Sequence, residues 1–391
     1  MKVIKDLKLK RRAIATLSGM HFFGNPSKKL KIVGVTGTNG KTTTATTLYK
    51  VGTALGYKCG LIGTVENIIV NESRPAKNTT PGPLDLNKLL NEMVEKGCEY
   101  VFMEVSSHSI DQNRIAGVNF VGGVFSNLTH DHLDYHKNME SYFQTKKKFF
   151  DNLSKDSFVL TNIDDSYGLK MIANTKAKKY TYGFNNKADF GEKIKSSLIG
   201  GFNEYNILAV FAVTKILNFD EQKVRDILLN VTPPAGRFEN FTSEKGVTGV
   251  VDFAHTPDAL EKIIKTAKNI VKDNGKVISV FGCGGDRDPM KRSIMGKIGA
   301  SLSDIAIFTA DNPRSEDVEK IIETMCVELA PEQLQKIKKF TDRNEAIQEA
   351  GKIAQKGDII LLMGKGPETY QDIKGVKHPW NDIEKLKQTL K

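Results

Sequence analysis

The chain has 391 residues and a net charge of +11, from 57 basic and 46 acidic side chains, enough length for two or three domains with sizeable cores. It contains no apolar run of the ~18 residues that a membrane span needs, and its basic N-terminus lacks the apolar stretch of a signal peptide, so a cytoplasmic protein without a membrane partner is expected. Cys59, Cys98, Cys283 and Cys326 are scattered without C-x-x-C spacing, which argues against a zinc or disulfide framework, and the short basic clusters (8–12, 146–148, 176–179) lack interleaved aromatics and read as solvated surface rather than a nucleic-acid face.

Residues 1–30 read as a basic helical stretch with a turn at Gly24-Asn25-Pro26. From 31 to about 230, strand-like runs at 31–35, 59–62, 99–105, 121–126, 157–162 and 178–182 alternate with helical patterns at 42–55, 84–96, 139–152 and 203–217. Such alternation predicts a mostly parallel sheet covered by helices. Thr232-Pro233-Pro234-Ala235-Gly236-Arg237 reads as a linker. Beyond it strands are expected at 248–252, 277–282, 304–309, 336–341 and 357–363, with helices at 257–273, 290–302, 315–329, 343–355 and 381–390. The expected fold class is α/β throughout. Residues 1–30 are expected to form an N-terminal helix and linker, 31–236 a central domain on a parallel sheet, and 237–391 a C-terminal Rossmann-like α/β domain.

The strand ending at Val35 runs into Thr36-Gly37-Thr38-Asn39-Gly40-Lys41-Thr42-Thr43, and a helix follows. Strand, glycine loop, Lys-Thr and helix form a phosphate cradle: backbone amides and the helix N-terminus face the phosphates, the lysine matches their charge, and the hydroxyl reaches Mg²⁺. The general pattern wants glycine where Val35 stands, so this is a tighter loop, but it still marks the chain as an ATP user and 31–236 as an ATP-binding domain of P-loop ATPase type.

Glu104 closes the run Tyr100-Val101-Phe102-Met103, the place where an α/β sheet gathers functional groups, and suits a Mg²⁺ ligand. Four of the seven histidines lie between 108 and 136, three of them in the stretch NLTHDHLDYH (127–136). That density suggests a metal site or proton-transfer groups without singling out one histidine. Lys146-Lys147-Lys148, taken alone, reads as a solvated helix face.

Taken together these segments resemble the Mur ligase family, ATP-dependent amide-bond ligases that extend the peptidoglycan stem peptide. The resemblance runs from about Arg11 onward and is carried by VTGTNGKTTT (35–44), NTTPGP (78–83), MEVSSHSIDQNR (103–114), NLTHDHLDYH (127–136), FNEYN (202–206), GRFE (236–239), VVDFAHTPDAL (250–260), FGCGGDRDPMKR (281–292), DNPRSED (311–317) and MGKGPETYQ (363–371). It is strongest toward members that add the third residue to UDP-N-acetylmuramoyl-L-Ala-D-Glu. The resemblance implies that Gly37, Thr38, Asn39, Gly40, Lys41, Thr42, Thr43, Asn206, Arg237, Asp252 and His255 bind ATP. It implies two Mg²⁺ ions held by Thr42, Glu104, His132 and a carbamylated Lys146, with Lys41, Lys146, Glu104 and His132 as the catalytic set. Thr79, Thr80, Ser106 and Arg114 match positions that hold the nucleotide-sugar peptide. Arg287, Asp311, Asn312, Arg314, Gly364 and Glu368 match the site of the incoming amino acid. DNPR implies meso-diaminopimelate, because Arg314 can grip its second carboxylate in a bidentate fork; the competing role for Arg314 is a surface arginine before a helix capped by Ser315. The implied reaction passes through an acyl phosphate.

Two departures from the family bear on these expectations. Pro367 stands where relatives have histidine, removing a backbone N–H beside the amino-acid site. Relatives also carry an N-terminal domain of roughly a hundred residues that grips UDP, whereas about thirty residues precede the loop here. Weak UDP recognition, a partner protein that supplies it, an acceptor without UDP, or a fragment of a longer product would each account for that. A monomer is expected. The alternatives are a ligase acting on another acceptor or amino acid, as in folylpolyglutamate or cyanophycin-type relatives, and a non-catalytic partner of a cell-wall complex.

Overall fold

A computed structural model describes residues 22–271 and 274–391. The expected N-terminal helical stretch falls mostly on residues 1–21, and the end of the helix expected at 257–273 falls on 272–273, both outside the described residues. The turn at Gly24-Asn25 is formed, both residues having positive φ (65° and 53°), and leads into a short 3₁₀ turn at Pro26–Lys29. The chain divides into two compact units, one ending at Thr232 and the other running from Pro233 to Lys391.

In the first unit the strands are β1 (Lys31–Thr36), β2 (Cys59–Ile62), β3 (Glu66–Ile69), β4 (Glu72–Pro75), β5 (Tyr100–Glu104), β6 (Phe120–Phe125), β7 (Phe158–Asn162) and β8 (Lys178–Tyr182). They form one sheet in the order β4-β3-β2-β5-β1-β6-β7-β8. All pairs are parallel except β2·β3 and β3·β4. The helices are α1 (Lys41–Ala54), α2 (Pro83–Glu95), α3 (Ser107–Asp111), α4 (Leu133–His136), α5 (Met139–Asp151), α6 (Gly168–Met171), α7 (Gly201–Ile216) and α8 (Glu221–Leu228).

Central parallel strands are covered on both faces, so they read as continuous apolar runs. The pleat then sorts each run. Val33, Val35, Phe102 and Val124 pack on one face with α1 and α7. Ile32, Val101, Met103 and Phe125 pack on the other with α2 and α5. Gly34 is required by that second layer, because a Cβ there would lie 2.7 Å from the Phe149 ring. The β3–β4 hairpin was not expected from the sequence.

The second unit contains β9 (Glu239–Thr242), β10 (Thr248–Asp252), β11 (Val277–Phe281), β12 (Ile305–Phe308), β13 (Ile337–Lys339) and β14 (Ile359–Met363) in the order β13-β12-β11-β14-β10-β9. Only β9 is antiparallel to its neighbour. A separate hairpin joins β15 (Tyr370–Ile373) and β16 (Val376–Pro379). Helices α9 (Pro257–Ile270), α10 (Met290–Leu302), α11 (Val318–Cys326), α12 (Pro331–Leu334), α13 (Arg343–Ile353) and α14 (Asp382–Thr389) complete it. One core joins Val251, Ile278, Ile307 and Leu362 to Ala346, Ile347, Leu386 and Leu390 of α13 and α14.

One boundary is corrected. The helix expected from Ser315 begins at Val318, and its cap is Asp317, whose carboxylate accepts from the amides of Glu319 and Lys320. Ser315 instead donates its hydroxyl to Asp286 at 2.6 Å. Ser315 and Asp317 are both capping residue types two positions apart, and the carboxylate gains more from the helix dipole.

Candidate functional site

In the first unit the site is built where β1 ends and α1 begins. The loop is held by its neighbour after β6. The Thr38 amide donates to Asn127 O (2.8 Å) and the Asn39 amide to Asn127 Oδ1 (2.9 Å). The Ser126 hydroxyl donates to Asn39 O at 2.6 Å. Two glycines are obligatory for this closeness. A Cβ on Gly37 (φ 152°) would lie 1.9 Å from Ser126 Oγ, and one on Gly40 (φ 86°) 2.3 Å from Asn206 Oδ1. Asn206 is therefore brought against the loop, its Nδ2 anchored on Asn203 Oδ1 at 3.0 Å.

Two lysines converge on the loop carbonyls. Lys41 Nζ donates to Thr38 O (2.6 Å) and Gly37 O (3.0 Å), and Lys146 Nζ donates to Gly37 O (2.9 Å). Lys146 is 1% exposed and Lys147 7%, which overturns the reading of this lysine run as a solvated face. The amphipathic helix α5 turns 146 and 147 inward, and only Lys148 is exposed. Burial, reinforced by the nearby Lys41 charge, holds the Lys146 ammonium well below the usual lysine range. Its Nζ also lies 4.8 Å from the centre of the Tyr142 ring.

The foot of the loop is a buried carboxylate. Thr42 Oγ1 donates to Glu104 Oε2 at 2.9 Å. Thr64 adds its amide to Oε1 (2.7 Å) and its hydroxyl to Oε2 (3.0 Å). Thr64 Oγ1 in turn lies 3.1 Å from Thr79 Oγ1. Thr80 donates its hydroxyl to Glu104 O (2.8 Å), and Arg114 donates to Thr80 O (2.9 Å). Ser106 caps α3 and donates its amide to Thr80 Oγ1 at 3.2 Å. The four positions matched to the acceptor are thus linked through one short network beside Glu104.

The histidines gather nearby. His132 has φ 55° at the start of α4, and its Nε2 lies 3.3 Å from Asp131 Oδ2. Its ring centre is 5.0 Å from that of His108. His136 is buried, with Nε2 2.9 Å from Ser107 Oγ. Burial, aided by His108, pushes its pKa down to about 4. Burial also lowers that of His108. Among the described residues no three His, Cys, Asp or Glu side chains converge as a metal-binding group.

In the second unit the matched residues other than Arg237, which precedes β9, lie at or after the carboxyl ends of β10, β11, β12 and β14, where doubly wound sheets place ligands. Asp252 ends β10 and accepts from the Phe238 amide at 2.7 Å. Burial pushes its carboxyl pKa up to about 6 against the pull of Arg237. The Arg237 guanidinium sits 4.9 Å over the Phe253 ring, and the His255 and Phe253 rings are 4.6 Å apart. A second group joins Asn312, Glu368 and the buried Lys365. Asn312 Nδ2 donates to Glu368 Oε2 (2.7 Å), and Lys365 Nζ donates to both Asn312 Oδ1 and Glu368 Oε2 at 3.0 Å. Gly364 (φ 107°) admits Asp311, whose Oδ2 would be 2.4 Å from a Cβ there. Arg314 Nη1 donates to Gly285 O at 2.6 Å, and Arg287 lies beside it across Gly284. Pro367 fits because Gly236 (φ 63°) packs directly on the Gly366-Pro367 peptide, 2.2 Å from a built Cβ to the proline nitrogen.

Sequence reasoning missed Thr64, Asn127, Lys365 and Gln371, all of which hold these groups in place. Asn127, Lys365 and Gln371 lie within matched motifs. Thr64 follows a short strand and carries no local signal.

A glycine loop ending in Lys-Thr at the carboxyl edge of a parallel sheet, with a buried carboxylate at its foot, places the chain among phosphate-loop α/β proteins. The chain belongs to the Mur ligase family. Residues 35–214 match the Mur ligase middle domain, and 236–366 match the Mur ligase glutamate ligase domain. The UDP-N-acetylmuramoyl-L-alanyl-D-glutamate–2,6-diaminopimelate ligase of Bacteroides fragilis is 50% identical over 94% of this chain and 79% of its own length. The Clostridioides difficile ligase of the same name is 41% identical over 95% of this chain and 80% of its own. A solved structure of a UDP-N-acetylmuramoyl-L-alanyl-D-glutamate–2,6-diaminopimelate ligase superposes with a TM-score of 0.63 at 32% identity, covering 92% of this chain and 78% of that one. No helix among the described residues is long and apolar enough to cross a membrane.

Proposed function

We infer that this chain is an ATP-dependent ligase that joins meso-diaminopimelate to the D-Glu of UDP-N-acetylmuramoyl-L-Ala-D-Glu in peptidoglycan synthesis. The observation that carries this is the 50% identity to a ligase of that name across 94% of the chain. We further propose the domain limits 31–236 for ATP binding and 237–391 for amino-acid binding, and a cytoplasmic monomer.

In the proposed mechanism the D-Glu γ-carboxylate attacks the γ-phosphorus of ATP and expels ADP, leaving an acyl phosphate. The diaminopimelate amine then attacks the acyl carbon, its proton is lost, and phosphate leaves from the tetrahedral intermediate. Lys41 and the amides of residues 37–43 are proposed to hold the transferring phosphate, with Asn206, Arg237, Asp252 and His255 on the rest of ATP. The proximity of Asn206 to Gly40 supports its part in this. Thr79, Thr80, Ser106 and Arg114 are proposed for the acceptor; their common network beside Glu104 supports that.

A divalent cation fits the foot of the loop. Glu104 is a buried carboxylate whose hydrogen-bond partners are neutral hydroxyls and an amide, the hard oxygen set that Mg²⁺ prefers. Thr42 and Glu104 are proposed to hold one Mg²⁺, and Glu104, His132 and a carbamylated Lys146 a second; bound there, the ions would neutralise phosphate charge. The depressed ammonium of Lys146 supports carbamylation, because only a neutral amine adds CO₂. For the amino acid we propose Arg287, Asp311, Asn312, Arg314, Gly364 and Glu368, with the Arg314 guanidinium on the distal carboxylate of diaminopimelate.

The test is ATP-dependent phosphate release with UDP-N-acetylmuramoyl-L-Ala-D-Glu and meso-diaminopimelate, L-lysine or no amine, with mass detection of product. Product with diaminopimelate alone is expected. Lys41→Ala should lower kcat by roughly 10³-fold or more. Product with lysine instead, or an undiminished Lys41→Ala, would sink the reading.

A further inference from the structure

The segment Asp311-Asn312-Pro313-Arg314 runs beside the β15–β16 hairpin and bridges to it in parallel at Arg314 and Ile373. Gln371 Nε2 donates to Asp311 O at 2.9 Å, and the Asp372 amide donates to Asn312 Oδ1 at 2.8 Å. The Arg314 amide donates to Asp372 O (3.0 Å), and the Lys374 amide donates to Arg314 O (2.7 Å). Arg314 is thereby gripped on both sides of its Cα, in a left-handed conformation with φ 53°. A long, non-glycine side chain stays there only where its surroundings over-determine it. In that conformation Nη1 reaches Gly285 O after β11. The hairpin itself turns tightly through Lys374 (φ 51°) and Gly375 (φ 80°), the two positive φ values of a type I′ turn. Gln371, 8% exposed, is the only hairpin side chain among these four contacts; the rest are made by backbone atoms of the hairpin.

We propose that the β15–β16 hairpin sets the choice of incoming amino acid by holding the Arg314 backbone left-handed, with Gln371 as the positioning residue that docks the hairpin onto Asp311. This rests on the assignment of Arg314 to the distal carboxylate of diaminopimelate. A guanidinium selects that carboxylate over an ammonium or a methylene only while it is aimed, and the aim here comes from the backbone. Lysine has no distal carboxylate, so its use should be indifferent to the frame.

Gln371→Met keeps the side-chain volume and removes the donor, leaving Asp311 O without that bond. The expected result is a KM for meso-diaminopimelate raised about tenfold, with kcat and the KM values for ATP and the acceptor near wild type. Preference for diaminopimelate over L-lysine should fall by the same factor. An unchanged KM and preference, or an equal rise in all three KM values, would overturn the proposal. If Gln371→Met does not fold, Gly375→Val gives the same reading. A Cβ at Gly375 meets nothing within 4 Å, so strain from its positive φ is confined to the turn. The wild-type enzyme is the reference: failure to use diaminopimelate at all would overturn the functional reading itself, whereas normal wild-type turnover with indifferent variants would overturn the hairpin alone.

Discussion

Two buried titratable side chains give stability a dependence on pH, with opposite signs. His136 has its pKa pushed down to about 4 by burial, so the unfolded chain takes up the proton first as pH falls. Its contribution is complete above about 6.5 and is lost between there and 4, roughly 3 kcal/mol in all. Asp252 is raised to about 6, so the native state keeps its proton longer than the unfolded chain. Its contribution is complete below about 3.8 and is lost as pH rises through 6, again roughly 3 kcal/mol. His136→Gln should flatten the acid loss of stability in the first unit. Asp252→Asn should gain stability relative to wild type in the second as pH rises from 4 to 7. Thermal unfolding of both variants across pH 4–7 checks this, and profiles parallel to wild type would refute it. At this scale the sequence singles out a residue where a motif names it, as for Lys41, Glu104 and Arg314. It was misleading where a side chain's surroundings are set by distant chain. Lys146, taken alone, looked solvated within its lysine run although the resemblance set it in the catalytic group, and its hydrogen bond to Gly37, 109 residues away, is part of why α5 turns it inward.

Elements with a strong local pattern were legible; those made by a neighbour were not. The central strands are apolar on both faces and declare themselves. The β3–β4 hairpin does not, because β4 is Glu-Ser-Arg-Pro, fully exposed, and its turn uses Val70 at φ 59° in place of an Asn-Gly signal. The β15–β16 hairpin is similar, with β16 exposed along its length. The glycine loop was legible as a loop, but the reason for each glycine is tertiary. Gly37→Ala would place a methyl 1.9 Å from Ser126 Oγ, the hydroxyl that holds Asn39 O. Either Ser126 swings away and gives up its bond to Asn39 O, or the loop opens. The expected outcome is a Kd for the nucleotide raised at least tenfold, with a stability loss of about 1–3 kcal/mol. Isothermal titration with a non-hydrolysable ATP analogue measures the first and chemical denaturation the second. Unchanged nucleotide affinity would mean that the loop's shape is not fixed by this contact.

For the molecule as a whole, the linker read at 232–237 falls where the contacts divide, between Thr232 and Pro233. The second unit has what an independent domain needs: a six-stranded sheet with buried helices on both faces, and a length that lets about two-thirds of its surface be buried. Within it Arg343 pairs with Asp382, both fully buried, at 2.6 and 2.9 Å. The same guanidinium donates to Ala310 O and Met363 O at 3.2 Å, immediately before Asp311 and Gly364. Trp380 Nε1 also donates to Asp382 at 2.7 Å. Residues 233–391 expressed alone should therefore unfold in one cooperative transition. Asp382→Ala in that fragment should cost about 3–5 kcal/mol, because it leaves a buried guanidinium without its counter-charge. Asp382→Ala combined with Arg343→Met should recover much of that loss, since the pair is replaced by apolar groups and no unpaired charge remains. Calorimetry of the three fragments separates the possibilities. A broad, non-cooperative wild-type transition would mean that the second unit depends on the first, and a double variant no better than Asp382→Ala would mean that the hydrogen bonds to Ala310 and Met363, rather than the ion pair, hold these strand ends.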